Sequence, residues 1–292
     1  MNRAVVVGYD GSIPAGEALT WAARYAARAH APLRIMHVAR TIMEGYGVGD
    51  RPLDLTNQVG RRVLTEGLEL AYAAEPDLEI TTQLAVSESA SGPLVESSAH
   101  DRLLVVGSRG REGFAELLLG SVGITVAAHA ECPVVVVRGT AGGARRPNRP
   151  VVVAVDGSAT SARAVDVAFD HASWLGARLV AVHAWELPSL LGSLPPWAPE
   201  EVEAFLATET ALLAESLAGH AERYPDVDVS QVVRRGTPAR AILAESEDAE
   251  LLVLGSRGRG GFRGLLLGSV SQAVLHHATC PVMIVRPETA RR

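Results

Sequence analysis

A chain of 292 residues, 48% apolar and with a formal charge of −6, is long enough for two domains with a core each, and its charge argues against nucleic acid as a main partner. No apolar run approaches the ~18 residues that cross a bilayer, and MNRAVVVGYDGS enters a strand-like run at once, so the expectation is a soluble, cytoplasmic protein that uses no membrane. Lysine is absent: all 27 cationic residues are Arg, which excludes the phosphate loop ending in Gly-Lys-Ser/Thr, Schiff-base chemistry and any mechanism built on a catalytic lysine.

In chain order, the first half reads as strand 3–8, helix 14–29, strand 33–38, a long loop through Asn57, helix 58–74 and strand 79–85. A short helix 93–100, strand 102–107, a glycine-rich loop, helix 121–129 and strand 133–137 complete it. The second half repeats the order as 150–155, 159–174, 178–184, 199–223, 227–233, 238–247, 250–255, loop, 269–277 and 281–285. Val5 to Ser12 returns as Val151 to Ser158, Leu33–Val38 as Leu179–Ala184, and Cys132–Arg138 as Cys280–Arg286. A repeat of this size is a duplicated domain. The expected domains are 1–138 and 150–292, joined by a linker 139–149 of Gly, Pro and Arg.

Continuous Val/Leu/Ile strands alternating with amphipathic helices mean a parallel sheet covered on both faces. In helix 14–29, Ala18, Leu19, Ala22, Ala23 and Ala26 share one face. Cys132 and Cys280 have neither disulfide nor metal spacing and read as small buried residues. His37 and His183 close their strands as hydrogen-bonded core histidines, and His276-His277 lacks companions at ligand spacing, so no metal site is expected. In the long loops, Tyr46, Trp197 and Leu190–Leu194 are candidates to cover a ligand or a partner, or are plain surface.

The most informative stretch is Gly107–Ser121, GSRGREGFAELLLGS, which returns as GSRGRGGFRGLLLGS at Gly255–Ser269. Strand, glycine-rich turn and helix N-terminus make an anion site, because backbone N–H groups approach the ligand and the helix end adds unsatisfied donors. Asp10 and Asp156 follow the first strand of each half. If the first and fourth strands are neighbours where the strand order reverses, carboxylate and loop face one crevice, which suits a nucleotide. Asp-Gly-Ser is equally the sequence of a turn and helix cap, and a glycine-rich turn is also a plain tight connection.

The spacing Gly107-x2-Gly110-x9-Gly120-Ser121 and its copy Gly255-x2-Gly258-x9-Gly268-Ser269 resemble the nucleotide-binding signature of the ATP-binding universal stress protein family. Asp-Gly-Ser, the strand ending His-Val and the final Cys-Pro-Val-Val-Val-Val strand match it too, and the likeness covers both halves. The resemblance implies an α/β fold of two tandem doubly wound domains, each an open five-stranded parallel sheet of order 3-2-1-4-5 flanked by helices. It also implies ATP as the ligand, with any Mg2+ carried by the nucleotide.

By that resemblance, Gly8, Asp10, Ala154 and Asp156 contact the nucleoside, and the backbone around Val38 and Ala184 lies against adenine. Ribose and phosphates are met by Gly107, Ser108, Arg109, Gly110, Arg111, Gly120, Ser121 and Val122 in the first half. In the second they are met by Gly255, Ser256, Arg257, Gly258, Arg259, Gly268, Ser269, Val270 and Ser271. The first half departs from the pattern with Gly123 in place of Ser271 and Ser91-Gly92-Pro93 in place of Gly236-Thr237-Pro238. Arg109 and Arg111 are offset by Glu112 and Glu116, whereas Arg257, Arg259 and Arg263 stand unopposed, so tighter binding is expected at the second site. The leading expectation is an ATP-binding regulatory protein of the stress response. A slow ATPase or nucleotide-transfer enzyme, and a ligand-free dimerisation module, are the alternatives. The apolar final strands 134–137 and 282–285 suggest pairing of domains within the chain and a homodimer beyond it.

Overall fold

The computed structural model describes residues 3–40, 51–110, 119–138, 149–186, 197–260 and 266–287. The chain divides into two compact units, the first made mainly of residues up to Arg145 and the second mainly of residues from Arg146 onward.

The first unit runs β1 (Val5–Gly8), α1 (Ile13–Arg28), β2 (Leu33–Arg40), α2 (Arg51–Ala74), β3 (Ile80–Ser87), α3 (Gly92–Ser97), β4 (Leu103–Gly107), α4 (Ser121–His129) and β5 (Val134–Val137). Its strands lie in the order β3-β2-β1-β4-β5. Val5 pairs in parallel with Leu33 on one side and Leu103 on the other, so the order reverses at β1/β4. β1, β4 and β5 are apolar and buried because helices cover them; β3, on the outer edge, exposes Thr81, Thr82 and Gln83 in a row. The predicted α1 face (Ala18, Leu19, Ala22, Ala23 and Ala26) is fully buried, and its small side chains let the helix lie close to the sheet.

The second unit repeats the plan: β6 (Val151–Ala154), α5 (Ala159–Leu175), β7 (Leu179–Trp185), α6 (Pro199–Leu217), α7 (His220–Arg223), β8 (Val229–Arg235), α8 (Pro238–Glu245), β9 (Leu251–Gly255), α9 (Ser269–His277) and β10 (Val282–Val285). Its order is β8-β7-β6-β9-β10, with β6 paired to both β7 and β9.

Two expectations are corrected. The loop expected through Asn57 ends earlier, because α2 begins at Arg51. Pro52 sits in its first turn, where the missing N–H has no partner to lose, so it opens the helix rather than marking a loop. The single helix expected over 199–223 is broken at Gly219, whose φ of 80° is left-handed, and α7 is a separate turn. Among the described residues no helix is long and apolar enough to cross a membrane.

Candidate functional site

The reversal point opens because neighbouring strands have different lengths. β1 ends at Gly8, opposite Met36, while β2 continues to Arg40 paired with β3. The Tyr9 N–H donates to the Met36 carbonyl at 2.9 Å, so the backbone polar groups of Met36 point toward β1. Two residues on, those of Val38 point the same way, into the gap that β1 has left. The second unit matches: Val155 N–H donates to the Val182 carbonyl at 2.9 Å, and the Ala184 backbone faces the gap beyond β6. Two histidines hold this exit in shape, His37 Nδ1 lying 2.7 Å from the Tyr9 carbonyl and His183 Nδ1 2.6 Å from that of Val155. They are buried and hydrogen-bonded, as the sequence suggests.

The Asp-Gly-Ser segment forms the turn and helix cap that its sequence suggests. Ser12 and Ser158 cap α1 and α5, accepting from Ala15 N–H at 3.3 Å and Ser161 N–H at 3.2 Å. Asp10 and Asp156 accept from the backbone of those serines at 3.0 Å through Oδ1. The turn needs Gly157 at φ 73° and Gly11 at φ 81°. In each aspartate Oδ2 is aimed at the glycine loop. Asp156 Oδ2 accepts from Arg259 N–H at 2.9 Å, and the Arg259 guanidinium lies over Gly157. A Cβ on Gly258 would run into Asp156 Oδ2, and one on Gly110 would lie 2.7 Å from Asp10 Oδ2. Carboxylate and loop therefore share one crevice in both units. Burial pushes the Asp156 carboxyl up, but hydrogen bonds from Ser158, from Arg259 N–H and from Ser161 outweigh it and hold the group below its ordinary value.

The loop's other glycines have structural causes of their own. Gly107 and Gly255 are small because of helices α1 and α5: a Cβ on Gly107 would lie 2.7 Å from the Pro14 backbone, and one on Gly255 2.9 Å from Thr160 Cγ2. Gly120 and Gly268 direct their own N–H groups back to the Ser108 and Ser256 carbonyls at 2.8 Å, closing the loop on itself. The donors left at the loop's end belong to Ser121, Val122, Ser269 and Val270, which open α4 and α9 without a side-chain cap. Ser271 is buried and donates to the Gly255 carbonyl at 2.8 Å, strapping α9 to β9. Gly123 leaves that strap out of the first unit. Ser256 is fully buried, and its hydroxyl finds no partner among the described residues.

Gly8 and Ala154 end their strands at the floor of the gap, Gly8 under Leu94 of α3. Arg109 is exposed and Arg257 half-buried at the loop. Arg111, Glu112, Glu116, Arg263, Tyr46 and Leu190–Leu194 lie outside the described residues. Trp197 packs edge-on against Phe205, which stacks on Trp185 at the end of β7. Sequence reasoning missed Pro14 and Thr160 as the reason for two glycines, and Glu209, whose Oε2 lies 2.7 Å from His183 Nε2. Nothing local in the sequence marks Glu209, because its partner is on another element.

The Universal stress protein family model matches residues 1–138 and 147–286. The chain belongs to the universal stress protein family. It is a tandem member, and its relatives are similar over their full length. A universal stress protein of Mycolicibacterium smegmatis is 39% identical over 291 residues, covering 97% of each chain. One of Mycobacterium tuberculosis is 40% identical over 304 residues, covering 98% of this chain and 97% of the relative. The crystal structure of a universal stress protein from Archaeoglobus fulgidus, 21% identical, has the same fold with a TM-score of 0.69 and covers 97% of this chain and 98% of its own.

Proposed function

We propose that this universal stress protein is an ATP-binding regulatory protein with one nucleotide site per domain. The observation that carries the reading is the meeting of Asp10 with Gly110, and of Asp156 with Gly258 and Arg259, at a sheet reversal in both domains. An aspartate at such a place accepts from ribose hydroxyls. The backbone of Val38 or Ala184 offers a donor and an acceptor to the base edge. Helix N-termini and arginines at the loop favour phosphate oxygens, Arg109 and Arg111 at one site and Arg257 and Arg259 at the other. Ser108, half-buried just past β4, is assigned to the phosphate end, while Ser256, at the matching place past β9, is fully buried and lies behind the loop rather than against the ligand. Any Mg2+ arrives on the nucleotide.

The test uses protein purified without added nucleotide. Mass spectrometry of the material released on denaturation is expected to find an adenine nucleotide, and ATP is expected to raise the melting temperature by mass action. Gly268→Val keeps the fold, since Gly268 has φ −75° and its added Cβ meets only ordinary contacts at 3.5 Å, but its bulk narrows the phosphate end. The ATP-induced rise shrinks in this variant. An undiminished rise overturns the assignment of the loop.

A further inference from the structure

Two histidines hold the same place in the repeat and differ in one neighbour. His37 and His183 each bond through Nδ1 to the carbonyl at the end of the first strand. Beyond the His183 ring, Glu209 of α6 brings Oε2 to 2.7 Å from Nε2, with the histidine side chain 6% exposed. Gly60 stands as far before β3 as Glu209 stands before β8, and a Cβ on Gly60 would lie 3.3 Å from His37 Cδ2. The first domain thus has a glycine where the second has a carboxylate.

The proton count follows from the acceptors. A carbonyl oxygen only accepts, so Nδ1 of His183 carries a proton. A carboxylate also only accepts, so the second contact needs a proton on Nε2 or on the carboxyl itself. Val155, His183 and Glu209 together hold one proton more than a neutral imidazole beside a carboxylate. His37 needs only its one ring proton.

These anchors lie beside both jaws of the crevice: Val155 precedes Asp156, and His183 precedes Ala184. Around the ring, β6 leads into Asp156, already engaged by Ser158 and Arg259, and β7 continues to Glu186, which accepts from Thr237. From β8, Arg235 lies on the His183 face by strand alternation, and Arg234 on the other face is paired with Glu245 of α8, where Arg240 also lies. From α5, Asp166 is bound by His220 and Asp170 by Tyr224, which leaves Arg163 as that segment's cation.

We propose that nucleotide affinity at the second site is linked to the proton shared by His183 and Glu209, and that the first site lacks this linkage. The inference rests on the nucleotide reading above. With the proton present, both contacts are made and the pair is neutral overall. As pH rises and the proton leaves, a ring lone pair faces the carboxylate and the pair carries −1 beside a polyanionic ligand. Both changes weaken binding.

The experiment isolates the second site with Asp10→Ala and measures the ATP dissociation constant by calorimetry from about pH 5.5 to about pH 9.5. The comparison is the same protein with Glu209→Gln, whose amide N–H donates to Nε2 of a neutral imidazole and satisfies both contacts without the extra proton. The titration of ATP itself is common to both. Relative to the Glu209→Gln protein, affinity with Glu209 intact is expected to fall on the order of fivefold across the range. In Asp156→Ala, which isolates the first site, the profile follows that of Glu209→Gln. In nucleotide-free protein, nitrogen NMR of the imidazole shows His183 losing a ring proton over the same range where affinity drops. Parallel profiles with and without Glu209 overturn the proposal while leaving ATP binding intact. Absence of ATP binding at every pH overturns the nucleotide reading and the linkage with it.

Discussion

At Asp156, one carboxylate does the work of a turn and of a latch. Oδ1 is held by the Ser158 backbone and hydroxyl, Oδ2 by Arg259 N–H across the crevice. These bonds favour the ionised form and keep the group below its ordinary 3.8. A depressed acid stabilises the fold fully above its unfolded value, and that stabilisation is lost as pH falls through the lower folded value. Thermal melts between about pH 5 and about pH 2 are therefore expected to decline less steeply for Asp156→Asn than for the unchanged protein. Equal slopes would mean that the three bonds do not discriminate between ionised and neutral carboxyl. The thiol of Cys132 shows the opposite effect: burial, then the charge of Asp101, pushes it up to about 12, which leaves it inert as a nucleophile.

Among the elements, the break between α6 and α7 has a packing reason. After the left-handed turn at Gly219, α7 folds onto α5, where His220 and Tyr224 stack on Phe169 at 4.6 and 5.3 Å. His220 Nε2 then reaches Asp166 at 2.9 Å and the Tyr224 hydroxyl donates to Asp170 at 2.6 Å. A continued helix would carry these side chains past their partners. Gly219→Ala places a Cβ in the left-handed region and is expected to cost about 1–2 kcal/mol. On a domain of this size that lowers the melting temperature by a few degrees. Gly268→Ala, at an extended position, is the matched control and should melt close to the parent. Equal melting of the two variants would show that the turn relaxes without cost.

For the whole molecule, duplication supplies two glycine loops that differ in formal charge. The second loop carries Arg257 and Arg259 without a nearby glutamate in its sequence, whereas Glu112 and Glu116 accompany Arg109 and Arg111 in the first. Across exposed side chains the difference is expected to amount to about 1–3 kcal/mol after solvent and salt screening, or roughly five- to a hundredfold tighter ATP binding at the second site near neutral pH. Titration of Asp10→Ala against Asp156→Ala measures it, and weaker binding at the second site would assign affinity to the backbone alone. We also expect a homodimer, which light scattering on the eluted protein tests through its molar mass. A monomer across the accessible concentrations refutes that expectation.

The duplicated domain, the alternation of strands and helices, and the pairing of an aspartate with a glycine loop were legible in the sequence, because each is carried by local pattern. Val/Leu/Ile runs mark buried strands, Asp-Gly-Ser marks a turn and cap, and in-register repetition marks the domains. The ends of elements were less legible. Pro52 opened a helix where a loop was expected, since one residue type serves both. Tertiary structure alone decided why the glycines are glycines and which histidine has a carboxylate partner. Pro14 and Thr160 crowd Gly107 and Gly255 because a helix docks on a strand end far away in sequence. Glu209 meets His183 across 26 residues because α6 packs over β7, while the equivalent position in the first domain holds Gly60. Contacts of this kind depend on how one element lies on another, and no periodicity within either element encodes them.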